Sequence, residues 1–154
     1  QNGLPQFLNK TKGALDPASI AGLYIYDTES TLENIKVKRA EKKVLVGSII
    51  NNYNSSLNGL KINNMSSLVG LGIDLRNIIS NKTFMDIWNT RSEYKNNVAS
   101  IEEERNELHK AMEAELMELL TKRQKRKWHK FQAQRTNDLT GQFDMGDLFT
   151  YIGM

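Results

Sequence analysis

Proline is confined to the start of this chain. Pro5 and Pro17 are the only two among 154 residues, so from Ala18 onward no residue lacks the backbone N–H or carries the ring that breaks a helix interior. The later segments also place apolar residues at threes and fours, which points to an all-α domain. We expect a helical hairpin or bundle of about four helices with one long helix, an irregular N-terminal arm and a C-terminal tail. The arm, residues 1–18, mixes glycine, proline and small polar residues without a sustained period. The helical domain spans 19–136. Residues 137–154 form a tail packed on it, where Gly141, Gly146 and Gly153 argue against a long regular helix and Phe143, Phe149 and Tyr151 serve as anchors. A chain of this length buries roughly 70% of its unfolded surface, enough for a core without staples.

The periodic segments differ in clarity. From Ile20 to Val37, Leu23, Leu32 and Ile35 read as inward residues and Asp27 or Thr28 can cap a helix start, although Leu23-Tyr24-Ile25-Tyr26 also reads as a short strand. Val46, Ile49, Ile50, Tyr53, Leu57 and Leu60 recur at helical spacing opposite Asn51, Asn52, Asn54 and Asn58, which predicts a helix from Arg39 to Leu60. Asn63 to Ser67, with Gly70 and Gly72, predict a connection holding a short helix from Ile73 to Ile79. The longest helix begins near Thr83 and carries Phe84, Trp88, Val98, Ile101, Leu108, Met112, Leu116 and Leu119. Its glutamates read as the solvated side.

Composition removes several kinds of chemistry. With no cysteine, disulfides, thiolate metal sites and cysteine nucleophiles are excluded. No apolar run approaches the roughly 20 residues that span a bilayer, so no membrane span is expected. The chain starts at Gln1, which we read as the mark of a removed expression tag or signal peptide. The net charge of +3 and the pI near 9.1 are modest, so only the distribution of charge is informative.

That distribution is densest from Glu118 to Gln132, ELLTKRQKRKWHKFQ. Thr121 and Gln124 have the capping-box spacing, in which the threonine oxygen accepts an amide proton of the new helix and the glutamine returns to the threonine amide. A turn at Leu120 and Thr121 is one reading. The other is an unbroken helix, because no glycine or proline intervenes and Glu118 with Lys122 has the favourable i, i+4 order. Beyond this point Gln124, Trp128 and Phe131 cluster on one side, and Lys122, Lys125, Arg126, Lys127 and Lys130 cover most of the rest. In a folded-back arrangement Glu115 and Glu118 would face Arg123 and Arg126.

Leu120-Thr121-Lys122-Arg123-Gln124, followed by Lys127-Trp128, resembles the LTxxQ motif of the small exported helical proteins related to Spy and CpxP. The resemblance implies a helix start at Thr121 and therefore a turn. It departs from the family in two places: Lys122 stands where a proline often follows the threonine, and the position of a first copy, Val37-Lys38-Arg39-Ala40-Glu41, lacks both threonine and glutamine. What it implies for function is a periplasmic or secreted envelope-stress protein, its signal peptide removed, that binds unfolded or misfolded envelope proteins through an amphipathic cationic surface. Lys122, Arg123, Arg126 and Lys130, with Met112 and Met117 nearby, are the candidate client-binding residues; Leu120, Thr121 and Gln124 are the capping motif.

Other chemistries compete for the same residues. The cations could hold phosphates with Trp128 and Phe131 stacking on bases, but a solvated helix surface over inward aromatics accounts for the pattern, and no nucleic-acid motif accompanies it. His109, Met112 and Glu113 share a helical face that His129 could join, a mixed set suited to copper or zinc. Met112 also lies on the core stripe, and the ligand count is short of a closed zinc site. A periplasmic metal-binding stress protein is one alternative; a basic helical module for nucleic acid or protein is the other. No phosphate loop, nucleophile elbow or zinc-protease motif is present, so we expect neither an enzyme nor a cofactor. The length of the long helix raises a homodimer as a further expectation.

Overall fold

The computed structural model describes residues 21–81 and 84–140, which among themselves form five α-helices and no strand. The expected N-terminal arm and residues 141–154, with their three anchoring aromatics, lie outside the described residues, as do the side chains of Phe84 and Trp88.

The first described segment is extended. Residues 23–27 are neither helix nor strand, yet their backbone is paired: the Asn54 side-chain amide accepts from Tyr26 N at 2.8 Å and donates to Tyr26 O at 2.8 Å. One side chain thus supplies both bonds that a neighbouring strand would make, and no partner strand is needed. Helix α1, Thr28–Asn34, begins at Asp27, whose carboxylate accepts from Ser30 N at 2.9 Å. It ends in a left-handed turn. Val37 N reaches Leu32 O and Lys36 N reaches Glu33 O, the bonding of a Schellman cap, with Lys36 at φ 59 in the position usually given to glycine.

Helix α2, Ala40–Asn63, buries Val46, Ile50, Tyr53, Leu57 and Leu60 at alternating spacings of three and four. Gly47 on the same face admits α1: a Cβ there would lie 3.6 Å from Thr28 and 3.8 Å from Leu32. Asn64 alone separates α2 from α3, Met65–Asn81. The expected connection and short helix from Ile73 are thus corrected to one helix of 17 residues. Its glycines each disfavour helix by about 1 kcal/mol, but fully burying Leu68 and Leu71 is favourable by about 1.5–3 kcal/mol apiece. Burial outweighs propensity.

Helix α4, Phe84–Leu119, has 36 residues and is about 54 Å long. Both α2 and α3 pack along it, and α1 packs on α2 and reaches α5, Lys122–Thr140. Helix therefore continues through 137–140, the first residues assigned to the tail. The core joins Ile35, Val46, Ile50 and Leu57 to Val98, Leu116 and Trp128, each fully buried or within 1% of it. Among the described residues no helix is long and apolar enough to cross a membrane.

Candidate functional site

The chain does turn between α4 and α5, and the turn is built by side chains. Leu120 is buried, Thr121 N donates to Gln124 Oε1 at 3.1 Å, and Gln124 N donates to Thr121 Oγ1 at 3.2 Å. These reciprocal bonds satisfy free amides at the start of α5. Gln124 also acts at longer range, since its Nε2 donates to the carbonyl of Lys36 at 3.1 Å and so ties the left-handed cap of α1 to the first turn of α5. The two turns enclose a cleft of about 310 Å³ whose walls include Lys36, Lys38, Arg123 and Lys127.

The cations around this cleft face water. Lys122, Arg123, Arg126 and Lys130 are all exposed, whereas Lys125 and Lys127 between them are partly covered. Among the described residues Glu102 pairs with Arg105, and the His109 ring approaches Glu113; Glu115 and Glu118, expected to face Arg123 and Arg126, form no ion pair with them. Positive charge on α5 is consequently not neutralised by α4 at contact range. The methionines are placed differently from the cations. Met112 is 3% exposed within the core and Met117 is half-buried against it, so Met112 offers no adaptable surface.

A second site, absent from the sequence-based expectations, centres on Tyr26. Its ring is 3% exposed, stacks on Trp128 at 5.7 Å between centroids and meets Tyr53 edge-on at 5.6 Å. The Arg135 guanidinium lies 3.8 Å over the ring, a cation–π contact. Its hydroxyl donates to Gln132 Oε1 at 2.8 Å. That uses the only hydroxyl proton, so in the 3.1 Å contact with His109 the Nε2 atom is the donor. His109 Nδ1 stands 3.8 Å from Glu113 Oε1, and the other Glu113 oxygen accepts from Trp128 Nε1 at 2.8 Å. Burial pushes the Tyr26 hydroxyl up to about 12, with Arg135 opposing the rise; Tyr53 is raised for the same principal reason.

The third member of the candidate metal set is elsewhere. His109 and Glu113 are neighbours, but His129 is exposed, and among the described residues no three His, Cys, Asp or Glu side chains converge as metal ligands. His109 and Glu113 instead orient the Tyr26 and Trp128 rings. The residues overlooked in the sequence, Tyr24, Tyr26, Asn54, Gln132 and Arg135, leave a partial trace: Gln132 and Arg135 follow Trp128 by four and seven positions on one face of α5. Tyr26 and Asn54 leave none, because their pairing joins a non-helical segment to a helix. No family model, curated protein or solved structure matches this chain.

Proposed function

We propose that this chain is a non-enzymatic, exported protein that holds unfolded or misfolded envelope proteins, as its LTKRQ turn resembles the Spy and CpxP group. The observation supporting this reading is the run of water-facing cations on α5, Lys122, Arg123, Arg126 and Lys130, free of ion pairs among the described residues and extended across the turn by Lys36 and Lys38. Acidic, unfolded segments are drawn to such a surface by charge. Apolar contact is provided by side chains left in water, of which Val44 is 72% and Ile62 65% exposed, with Leu45 and Ile73 about half exposed.

The test is aggregation of a chemically unfolded, acidic test protein with and without this chain, in chelator-treated buffer. We expect protection at comparable molar amounts, weaker at physiological than at low salt because exposed charges are screened. Reversing Arg123 and Arg126 together to glutamate should reduce protection severalfold while leaving the thermal midpoint in place. Absence of protection at every ratio, or equal protection by the charge-reversed variant, would remove the proposal.

A further inference from the structure

The space beside Tyr26 is open. A cleft of about 460 Å³ is lined by Tyr24, Tyr26 and Tyr53 and by Arg105, Gln132 and Arg135, within the size range of small-ligand pockets. Two polar atoms in its lining residues, Tyr24 Oη and Gln132 Nε2, are buried without a hydrogen-bond partner among the described residues. Buried polar groups in native proteins are almost always paired, and here the unpaired ones are a hydroxyl and an amide nitrogen of two residues that line one cleft, each covered by its neighbours until a ligand parts them. Turning the glutamine amide over would only exchange the unpaired atom, because one of its two polar atoms bonds the Tyr26 hydroxyl and the other has no partner among the described residues; in the orientation present the oxygen accepts the Tyr26 proton and the nitrogen is the unpaired donor.

Arg135 adds donors and charge. Its Nη2 is committed to the carbonyls of Tyr24 and Ile25 at 2.9 and 2.6 Å, which leaves Nε and Nη1 without a hydrogen-bond partner among the described residues. Arg105 is differently engaged: Nη1 donates to Ala21 O, Nε and Nη2 reach Asn106 Oδ1, and Glu102 stands 3.8 Å away. The cleft therefore offers amide and guanidinium donors, a hydroxyl, and the positive charge of Arg135, which lies over the Tyr26 ring and has no carboxylate partner among the described residues, beside the partly buried Tyr24. An acceptor-only group of single negative charge fits that set. A phosphate dianion would bring a second charge that nothing there neutralises.

We propose that this cleft binds an organic carboxylate carried on a flat or aromatic body, the carboxylate meeting Gln132 Nε2, Arg135 and Tyr24 Oη. The carboxylate can belong to a free small acid or to the C-terminus of a peptide. The site does not depend on the client-holding reading.

The experiment is a titration of the full chain, isotope-labelled, with benzoate and with N-acetyl-Gly-Phe, followed through the Gln132 side-chain amide resonances identified by their loss in Gln132→Leu. Benzamide, the C-terminally amidated peptide and inorganic phosphate are the controls. We expect a saturable shift of those resonances with at least one of the acids, the better acid identifying the source, and binding of the matching amide weaker by roughly tenfold or more. Tyr24→Phe removes only the unpaired hydroxyl, so it should weaken the acid by roughly tenfold with the thermal midpoint unchanged. Equal binding of the amides, tighter binding of phosphate, unchanged affinity in Tyr24→Phe, or no saturable shift with either acid at millimolar concentration would each overturn the proposal.

Discussion

Lys36 occupies a conformation that L-residues avoid. Its φ of 59 brings Cβ close to the following carbonyl, a cost of roughly 1–2 kcal/mol, and the cap persists because Val37 is buried and Gln124 binds the Lys36 carbonyl. Glycine removes the steric cost but adds backbone entropy to the unfolded chain. We expect Lys36→Gly to raise the unfolding free energy by about 0.5–1 kcal/mol, measured from urea midpoints at constant slope. A loss of stability would show that the side chain, rather than the backbone, matters there. Tyr26 works in the opposite sense. Tyr26→Phe leaves His109 Nε2 and Gln132 Oε1 without their partner, at a cost of about 1–3 kcal/mol near neutral pH. The hydroxyl also makes stability depend on pH. Below pH 10 the folded and unfolded chains both keep the phenolic proton, and its contribution is complete. Between 10 and about 12 the unfolded chain releases the proton while the folded chain retains it. The native state then holds more protons, so stability falls as pH rises and the contribution is gone above about 12. The gap between the wild type and Tyr26→Phe should therefore narrow from pH 9 to pH 11.5 in urea unfolding. A constant gap would contradict the raised titration.

Helix α5 begins on cations that oppose its own dipole, and its capping box offsets that disadvantage. Thr121→Ala removes one capping bond and should cost about 1 kcal/mol. Gln124→Ala removes the return bond and the link to Lys36 together, so we expect the larger loss, about 1.5–2.5 kcal/mol. A double variant should lose less than the sum, because the two side chains share one box; strict additivity in chemical denaturation would mean that the reciprocal bonds act separately. Legibility in the sequence follows the same division between local and distant causes. The start of α2 lies one residue from the expectation, since Val46 to Leu60 form one unbroken stripe, and the box at Thr121 is readable from two residues three apart. Helix α3 departs from its expectation because Gly70 and Gly72 are local signals, while the contacts that overrule them belong to α4. The cleft beside Tyr26 is not legible. Its walls come from a non-helical segment and three helices, and no periodicity within one segment records which residues another will bring to it.

Across the whole molecule, charge and aromatic character are separated by depth. The outer side of α5 carries cations without ion pairs among the described residues, while its inner side places Trp128, Gln132 and Arg135 against the segment that precedes α1. One helix therefore takes part in both proposed activities from opposite sides, and substitutions on the outer side should leave the inner cleft intact. The position of Tyr26 also has a consequence for the order of events when the chain is made. Its backbone is held by a residue 28 positions later, its hydroxyl by residues 83 and 106 positions later. A polypeptide emerging from its N-terminal end can assemble α1 against α2 early, but this tyrosine waits, incompletely paired, until Gln132 and Arg135 have been synthesised. Closure of the core is in that sense a late act, and a chain paused anywhere before α5 is one that has not yet committed to its fold.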